Sequence, residues 1–403
     1  MAQQGDENYL TTAEVARRLN VKPATIYAYV SRGQLTSVRA RGSRGSLFAA
    51  AEVERLASRS VEHPGVVERI ETELSLLQGD ELYYRGHPVR ELATTQTFES
   101  VAELLWTGDL APSEPFAAPP ELVQLARSAM AVAPPGARMV DLLRIAVAVL
   151  GAADPLRFDL TPASITAASR QLLAALAEAL PGATNDGGIG GAPADGGIRD
   201  APVGGGFATK LWPKLSARPA QARTLEAALI LLADHGLAAS TIAARVAASA
   251  RANLYSVVSA GLGALDGHYH GAATTLAYQF LDRALDDPVK ALSDELRSGQ
   301  SLPGFGHRIY QHSDPRAEVL FGLLEGEPVM DRVHDITAKV NSFPNSDLAL
   351  AAMMHAYDLH PDAGEALFAL ARIVGWTGHA LEEYAEPGLR FRALGNYTGP
   401  AVT

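Results

Sequence analysis

The sequence predicts a nearly all-α protein in two modules, a small basic head and a large acidic body. Apolar residues fill 47% of the 403 positions and recur at helical spacing through alanine- and leucine-rich stretches. Residues 1–60 hold nine Arg and Lys against five Asp and Glu, a head of +4, which leaves −15 for the rest of a chain whose total is −11. Such a split suggests modules with separate partners, and the acidic total argues against the whole chain being a nucleic-acid binder. The length allows two or three domains with large buried cores. No apolar run approaches the roughly 18 residues of a membrane helix, and the polar start lacks a signal-peptide core. The absence of cysteine excludes disulfides, thiolate catalysis and cysteine-based zinc sites, and suits a cytoplasmic protein.

The head, residues 1–60, reads as a helix-turn-helix. Thr11 followed three residues later by Glu14 is a capping box ahead of Val15, Ala16 and Leu19 on one helical face. Asn20-Val21-Lys22 is the turn, and Pro23 suits the first position of a second helix running to about Ser31, with Ile26 and Val30 inward. Lys22, Thr25, Tyr27 or Tyr29, and Arg32 are left for the outer side. Leu35 to Phe48, turning at Gly42-Ser43-Arg44-Gly45, reads as a wing with Arg39, Arg41 and Arg44 outward, and Ala50 to Ala57 as a closing helix. The order resembles the excisionase and mercury-regulator class of winged helix-turn-helix domains. That resemblance implies DNA as a partner, with the second helix (Thr25, Tyr27) in a major groove and Arg39, Arg41 and Arg44 on phosphates. A protein-contact module is the competing expectation.

The body begins at residue 62. Alternation through Leu74–Leu77 and Leu82–Tyr84, broken by Gln78-Gly79-Asp80, predicts a short hairpin before a helix. Phe98 to Thr107 has helical spacing and a glycine stop, and residues 120–180 are helix with Pro and Gly breaks. The stretch 182–206 carries ten glycines in 25 residues and reads as a flexible loop, since its glycines have neither P-loop nor Rossmann spacing. Helix resumes by about Ala220.

The stretch with the densest chemistry is Leu302-Pro303-Gly304-Phe305-Gly306-His307, followed by Asp314-Pro315-Arg316. Its glycines allow a tight turn and close approach to a ligand; the histidine can exchange a proton near neutral pH, and the arginine can grip a carboxylate. This segment resembles the corresponding motif of the citrate synthase family. Further segments resemble that family in order: Leu82 to Ala93, Asp234-His235-Gly236, Ala260 to Ala273 containing His270, Phe343-Pro344-Asn345-Ser346-Asp347, Leu367 to Trp376 containing Arg372, and Arg390-Phe391-Arg392 before Tyr397-Thr398-Gly399-Pro400. The resemblance covers the chain from about residue 62 to its end.

It implies an all-α fold with a large and a small helical domain (the small one roughly 250–355) closing over a cleft, and a homodimer. It also implies an acyltransferase that joins acetyl-CoA or propionyl-CoA, as substrate and not cofactor, to oxaloacetate. His270, His307 and Asp347 take the catalytic positions, and His235, Arg316, Arg372 and Arg390 the keto-acid positions, the last reaching a neighbouring subunit's site. Leu302, Gly304, Phe305 and Gly306 fall where CoA binds. Two extra residues before Tyr397 leave Arg392 as the alternative to Arg390. The chain departs from the family at Asp266 and His268, which add ionisable groups beside His270 able to shift its pKa, and at Gln311, where relatives often carry a basic residue near the CoA phosphates. Two rival expectations stand beside this one: a metal site from His268, His270 and Asp234 or Asp347, and a DNA-binding regulator whose body senses an acyl-CoA or keto acid. The first expects metal; the family pattern expects none.

Overall fold

A computed structural model describes residues 9–19, 21, 23–31, 35–39, 46–50, 52–53, 70–183, 205–267, 270–299, 301–391 and 399. The chain divides into two compact units, residues 1–70 with 389–403, and residues 71–388.

In the first unit, β1 (Tyr9–Thr11) leads into α1 (Thr12–Arg18), then α2 (Pro23–Ser31), β2 (Val38–Arg39) and β3 (Ser46–Ala49). Thr11 caps α1, receiving the Glu14 N–H while the Glu14 carboxylate receives the Thr11 N–H at 2.8 Å. This is the reciprocal arrangement expected from the spacing. The strands are antiparallel in the order β1-β3-β2. Val15, Ile26, Leu35, Phe48 and Val53 form the small core. Tyr27 is 59% exposed on α2, where Thr25 is half-buried. Arg41, Arg44, Arg392 and His268 lie outside the described residues, as do residues 184–204 of the glycine-rich stretch.

The second unit opens with the hairpin β4 (Ser75–Gln78) and β5 (Glu81–Tyr84), in register Ser75 to Tyr84, and a short β6 (His87–Pro88). Helices follow without further sheet among the described residues. They are α3 (Val89–Thr95), α4 (Phe98–Thr107), α5 (Pro120–Met130), α6 (Met139–Ala153), α7 (Pro162–Ala179), α8 (Phe207–Leu215), α9 (Ala222–Leu232), α10 (Ala239–Ser249) and α11 (Leu254–Leu265). Then come α12 (Ala272–Asp286), α13 (Pro288–Ser298), α14 (Pro315–Leu324), α15 (Pro328–Thr337), α16 (Ser346–Ala356) and α17 (Ala363–Ala385). Caps set many of the boundaries: Thr97 starts α4 and Gly108, at φ 88°, stops it; Asp287, Asp314 and Asn345 accept N–H groups at the starts of α13, α14 and α16. Arg85, whose role on sequence grounds is structural, bonds the Leu105 carbonyl and pairs with Glu73.

α17 is buried along nearly all its length and packs against α4, α6, α7, α9, α10, α11, α12 and α16. A helix buried on nearly every side belongs in a core, and this one, which carries Glu365, Arg372, His379 and Glu383 inward with its apolar residues, organises its unit. Helices α12 to α16 pack largely on one another. Among the described residues no helix is long and apolar enough to cross a membrane.

α11 meets α17 at a point with no spare volume. A Cβ on Gly261 would lie 2.6 Å from the buried Trp376 indole. Gly261→Ala should therefore destabilise the fold by about 1–3 kcal/mol through overpacking, seen as a lowered Tm. An unchanged Tm would mean that the two helices separate easily.

Candidate active site

Two short segments build one half of the site. Residues 304–306 run antiparallel to 343–345: Gly306 N–H donates to Phe343 O at 2.8 Å, Asn345 N–H to Gly304 O at 2.9 Å, and Asn345 Nδ2 to Gly306 O at 2.9 Å. Gly304 and Gly306 have φ of 81° and 71°, and a Cβ on Gly304 would stand 2.8 Å from Leu348 Cβ, so glycine is required there twice over. This pairing delivers His307 from one strand of chain and Asp347, in the first turn of α16, from the other. Phe305 packs edge-on to Phe280, and Leu302 and Phe305 are half-buried against the core.

The other half comes from the ends of α9 and α11 and from α17. His235 follows α9, His270 follows α11, and Arg372 lies within α17. The His235 ring meets the His307 ring edge-on at 5.2 Å, and its Nε2 shares a 2.9 Å hydrogen bond with the buried Tyr310 hydroxyl. His270 Nε2 lies 2.7 Å from Ser240 Oγ, and its ring abuts Phe368, over which the Arg372 guanidinium sits at 4.6 Å. Arg316 forks onto Asp314 through Nε and Nη2, at 2.9 and 2.7 Å, and lies over Tyr310. The structure thus brings together His235, His270, His307, Arg316, Asp347 and Arg372. Arg390 belongs to the other compact unit.

Arg372 is the most unusual member. It is 1% exposed; its Nε donates to Leu232 O at 2.9 Å, but Nη1 and Nη2 are buried without a hydrogen-bond partner. Burial pulls its pKa below the usual arginine value, although Asp234 opposes that. A buried guanidinium with two idle donors is costly unless a ligand completes it.

The three histidines are held neutral. Burial, then the charge of Arg372, lowers His270 to about 4. Burial and Arg316 lower His307 to about 4, and burial with Arg316 and Arg372 pushes His235 well below the ordinary imidazole range. His307 Nδ1 accepts the backbone N–H of Ile309 at 3.1 Å, so the proton of the neutral ring sits on Nε2. Asp347 runs the opposite way: burial raises its pKa, while the Thr274 hydroxyl at 2.7 Å and Arg316 restrain the rise.

One expectation is corrected. Asp266 does not set the state of His270; it accepts from Arg138 Nη2 at 2.6 Å and Arg144 Nη1 at 2.9 Å, and burial with Arg372 governs the histidine. Gln311 offers the site no charge, and its N–H is held by Asp80 at 2.7 Å. Among the described residues no group of three His, Asp or Glu side chains converges as a metal site. Sequence reasoning missed Tyr310, Phe368, Ser240 and Thr274. All four lie within or beside the quoted motifs, but an uncharged or aromatic residue there looks like core.

Comparison with known proteins adds an independent line. The family profile for the citrate synthase C-terminal domain matches residues 65–392, and a helix-turn-helix profile matches residues 9–60. A 2-methylcitrate synthase of Mycobacterium tuberculosis is 29% identical over 353 residues, covering 80% of this chain and 86% of that protein. 2-Methylcitrate synthase 2 of Corynebacterium glutamicum is 31% identical over 341 residues, covering 79% and 88%. The crystal structure of citrate synthase from Thermotoga maritima superposes with a TM-score of 0.66 at 27% identity, covering 85% of this chain and 96% of that one.

Free histidine titrates near 6.5, while His270 and His307 titrate near 4 in the fold. Between these values the unfolded chain binds protons that the folded chain refuses, so their contribution to stability, complete above pH 6.5, should drain away as pH falls to about 4. Tm measured across that window should decline less steeply in His307→Gln than in the parent; equal slopes would mean that His307 is not held neutral.

Proposed function

The chain belongs to the citrate synthase family, and from that premise we propose that it condenses acetyl-CoA or propionyl-CoA with oxaloacetate, yielding citrate or 2-methylcitrate and free CoA. It is an acyltransferase of that type; the substrates and the role of each residue are our reading. The observation that carries it is Arg372, whose two idle, buried donors suit a carboxylate through a pair of parallel bonds. Of the two buried arginines of the pocket, Arg316 is paired with Asp314, whereas Arg372 has no ion pair among the described residues. The second charge is met in our reading by Arg316 Nη1, which the Asp314 fork leaves over, and by Arg390 serving the site of a second copy.

Asp347 removes a proton from the carbon next to the thioester carbonyl. Burial makes it a stronger base than an exposed carboxylate, which suits this weakly acidic proton. With the Ser240 hydroxyl donating to His270 Nε2, the neutral ring carries its proton on Nδ1 and donates it toward the thioester oxygen as the enolate develops. The enolate carbon attacks the ketone of oxaloacetate, whose oxygen accepts from His307 Nε2–H and whose carboxylates rest on Arg372, Arg316 and His235. Leu302, Gly304, Phe305 and Gly306 lie along the CoA in this reading. Water then cleaves the thioester. The acyl groups differ by one methylene, which a pocket discriminates by only about 1–3 kcal/mol. Relatives named for 2-methylcitrate therefore leave both acyl-CoAs to be tried.

Thiol release should require oxaloacetate together with one of the two acyl-CoAs. Asp347→Asn should lower kcat about 10²–10⁴-fold, the usual worth of a positioned base, and Arg372→Gln should raise KM for oxaloacetate more than for acyl-CoA. The rate should also fall on the acid side as Asp347 protonates, with a midpoint above the 3.8 of a free aspartate. No release with either acyl-CoA would sink the proposal.

The exposed Tyr27 on α2 favours a second role for the head, binding of duplex DNA. Full-length protein should then select a sequence motif from a random duplex library. Replacing Arg39, Arg41 and Arg44 by Ala should flatten the salt dependence by about one unit for each phosphate left without its arginine. Without an enriched motif, the head is a protein-contact module.

A further inference from the structure

Four ionisable side chains lie fully buried behind the keto-acid pocket: Asp234, Arg245, His379 and Glu383. Buried charges of this kind are commonly replaceable by apolar residues without loss of stability, so their presence invites a functional account. They are linked one to the next. Arg245 Nε donates to Glu383 Oε2 at 3.2 Å, and its Nη1 donates to Glu382 Oε2 at 2.7 Å and His379 Nδ1 at 2.8 Å. Arginine has no acceptor, so His379 Nδ1 must be the acceptor and the ring proton sits on Nε2. That atom faces Asp234 Oδ1 at 3.3 Å as an ion-pair contact, and neither atom has a hydrogen bond among the described residues. Asp234 Oδ2 then accepts from Ser75 Oγ at 2.6 Å and from Gly236 N–H at 3.0 Å, on the far side of His235.

The geometry of α17 ties these four residues to the pocket. Arg372, Gly375, His379 and Glu383, spaced three, four and four apart, share one helical face. Arg372 binds Leu232 O, Gly375 N–H donates to Ala233 O at 3.1 Å, and His379 faces Asp234. One face of α17 therefore holds residues 232–234 in succession, immediately before His235.

We propose that Arg245, His379 and Asp234 form a positioning relay that fixes His235 and the backbone beneath Arg372, and so sets the affinity of the keto-acid pocket. None of the three touches substrate. The relay rests on the reading of that pocket as the oxaloacetate site, and the test separates the two.

Oxaloacetate binding to the full chain is measured by calorimetry, beside thiol release. His379→Leu should weaken binding by about tenfold or more, as loss of a hydrogen bond to a charged group does, while His379→Gln, able to accept from Arg245 and donate to Asp234, should stay within about threefold of the parent. KM for acyl-CoA should not move. A folded Leu variant with parental oxaloacetate affinity, or a Gln variant no better than Leu, would overturn the relay. Should the Leu variant fail to fold, Asp234→Asn decides, since it keeps the shape and removes the charge: weakened binding supports the relay, and parental binding ends it. If the parent binds oxaloacetate but releases no thiol, the condensation falls and the relay is judged on binding alone; if it binds no oxaloacetate, both fall.

Discussion

Everything in the larger unit depends on α17 lying against the end of α9 with no side chain between them. A Cβ on Gly375 would stand 2.5 Å from Ala233 O and 2.6 Å from Asp234 Oδ1, so only glycine permits the approach. Because the backbones meet there, Arg372 reaches Leu232 O, and its guanidinium ends up inside the protein with two donors to spare. The same closeness seats His379 against Asp234. A looser fit would let water in and remove the reason for an anion to bind.

That burial also decides the state of the histidines. An imidazole in water near neutral pH is partly protonated; next to Arg316 and Arg372, in a site largely closed to water, the charged form is disfavoured twice. Neutral rings serve as directed hydrogen-bond donors. The same desolvation acts with opposite sign on Asp347, raising its pKa and strengthening it as a base. One environment thus prepares donors and base together, without a separate device for each.

The two glycines beside Phe305 contribute in another way. Their left-handed backbone lets residues 304–306 pair with 343–345, which joins a histidine and an aspartate 40 positions apart into one wall of the site. Asn345 holds this corner from both directions: its Nδ2 bonds Gly306 O while its Oδ1 caps α16 just at Asp347.

By itself the sequence determined the local elements whose causes are local. The Thr11–Glu14 capping box, the second helix starting at Pro23, the hairpin around Gly79-Asp80 and the glycine stop at Gly108 depend on residues a few positions apart, and each was legible in the chain. The site residues were legible only as members of motifs, because residue type and spacing carry the resemblance. What those residues touch was decided by tertiary structure. Arg316 and Arg372 look alike in sequence, yet one is paired with its neighbour Asp314 and the other is left with two unpaired donors. Asp266 looked like a modifier of His270 until Arg138 and Arg144, more than a hundred positions away, took both its oxygens. Tyr310 and Phe368 read as core until their partners were in place. Burial and long-range pairing set these electrostatics, and neither is a property of any short stretch of chain.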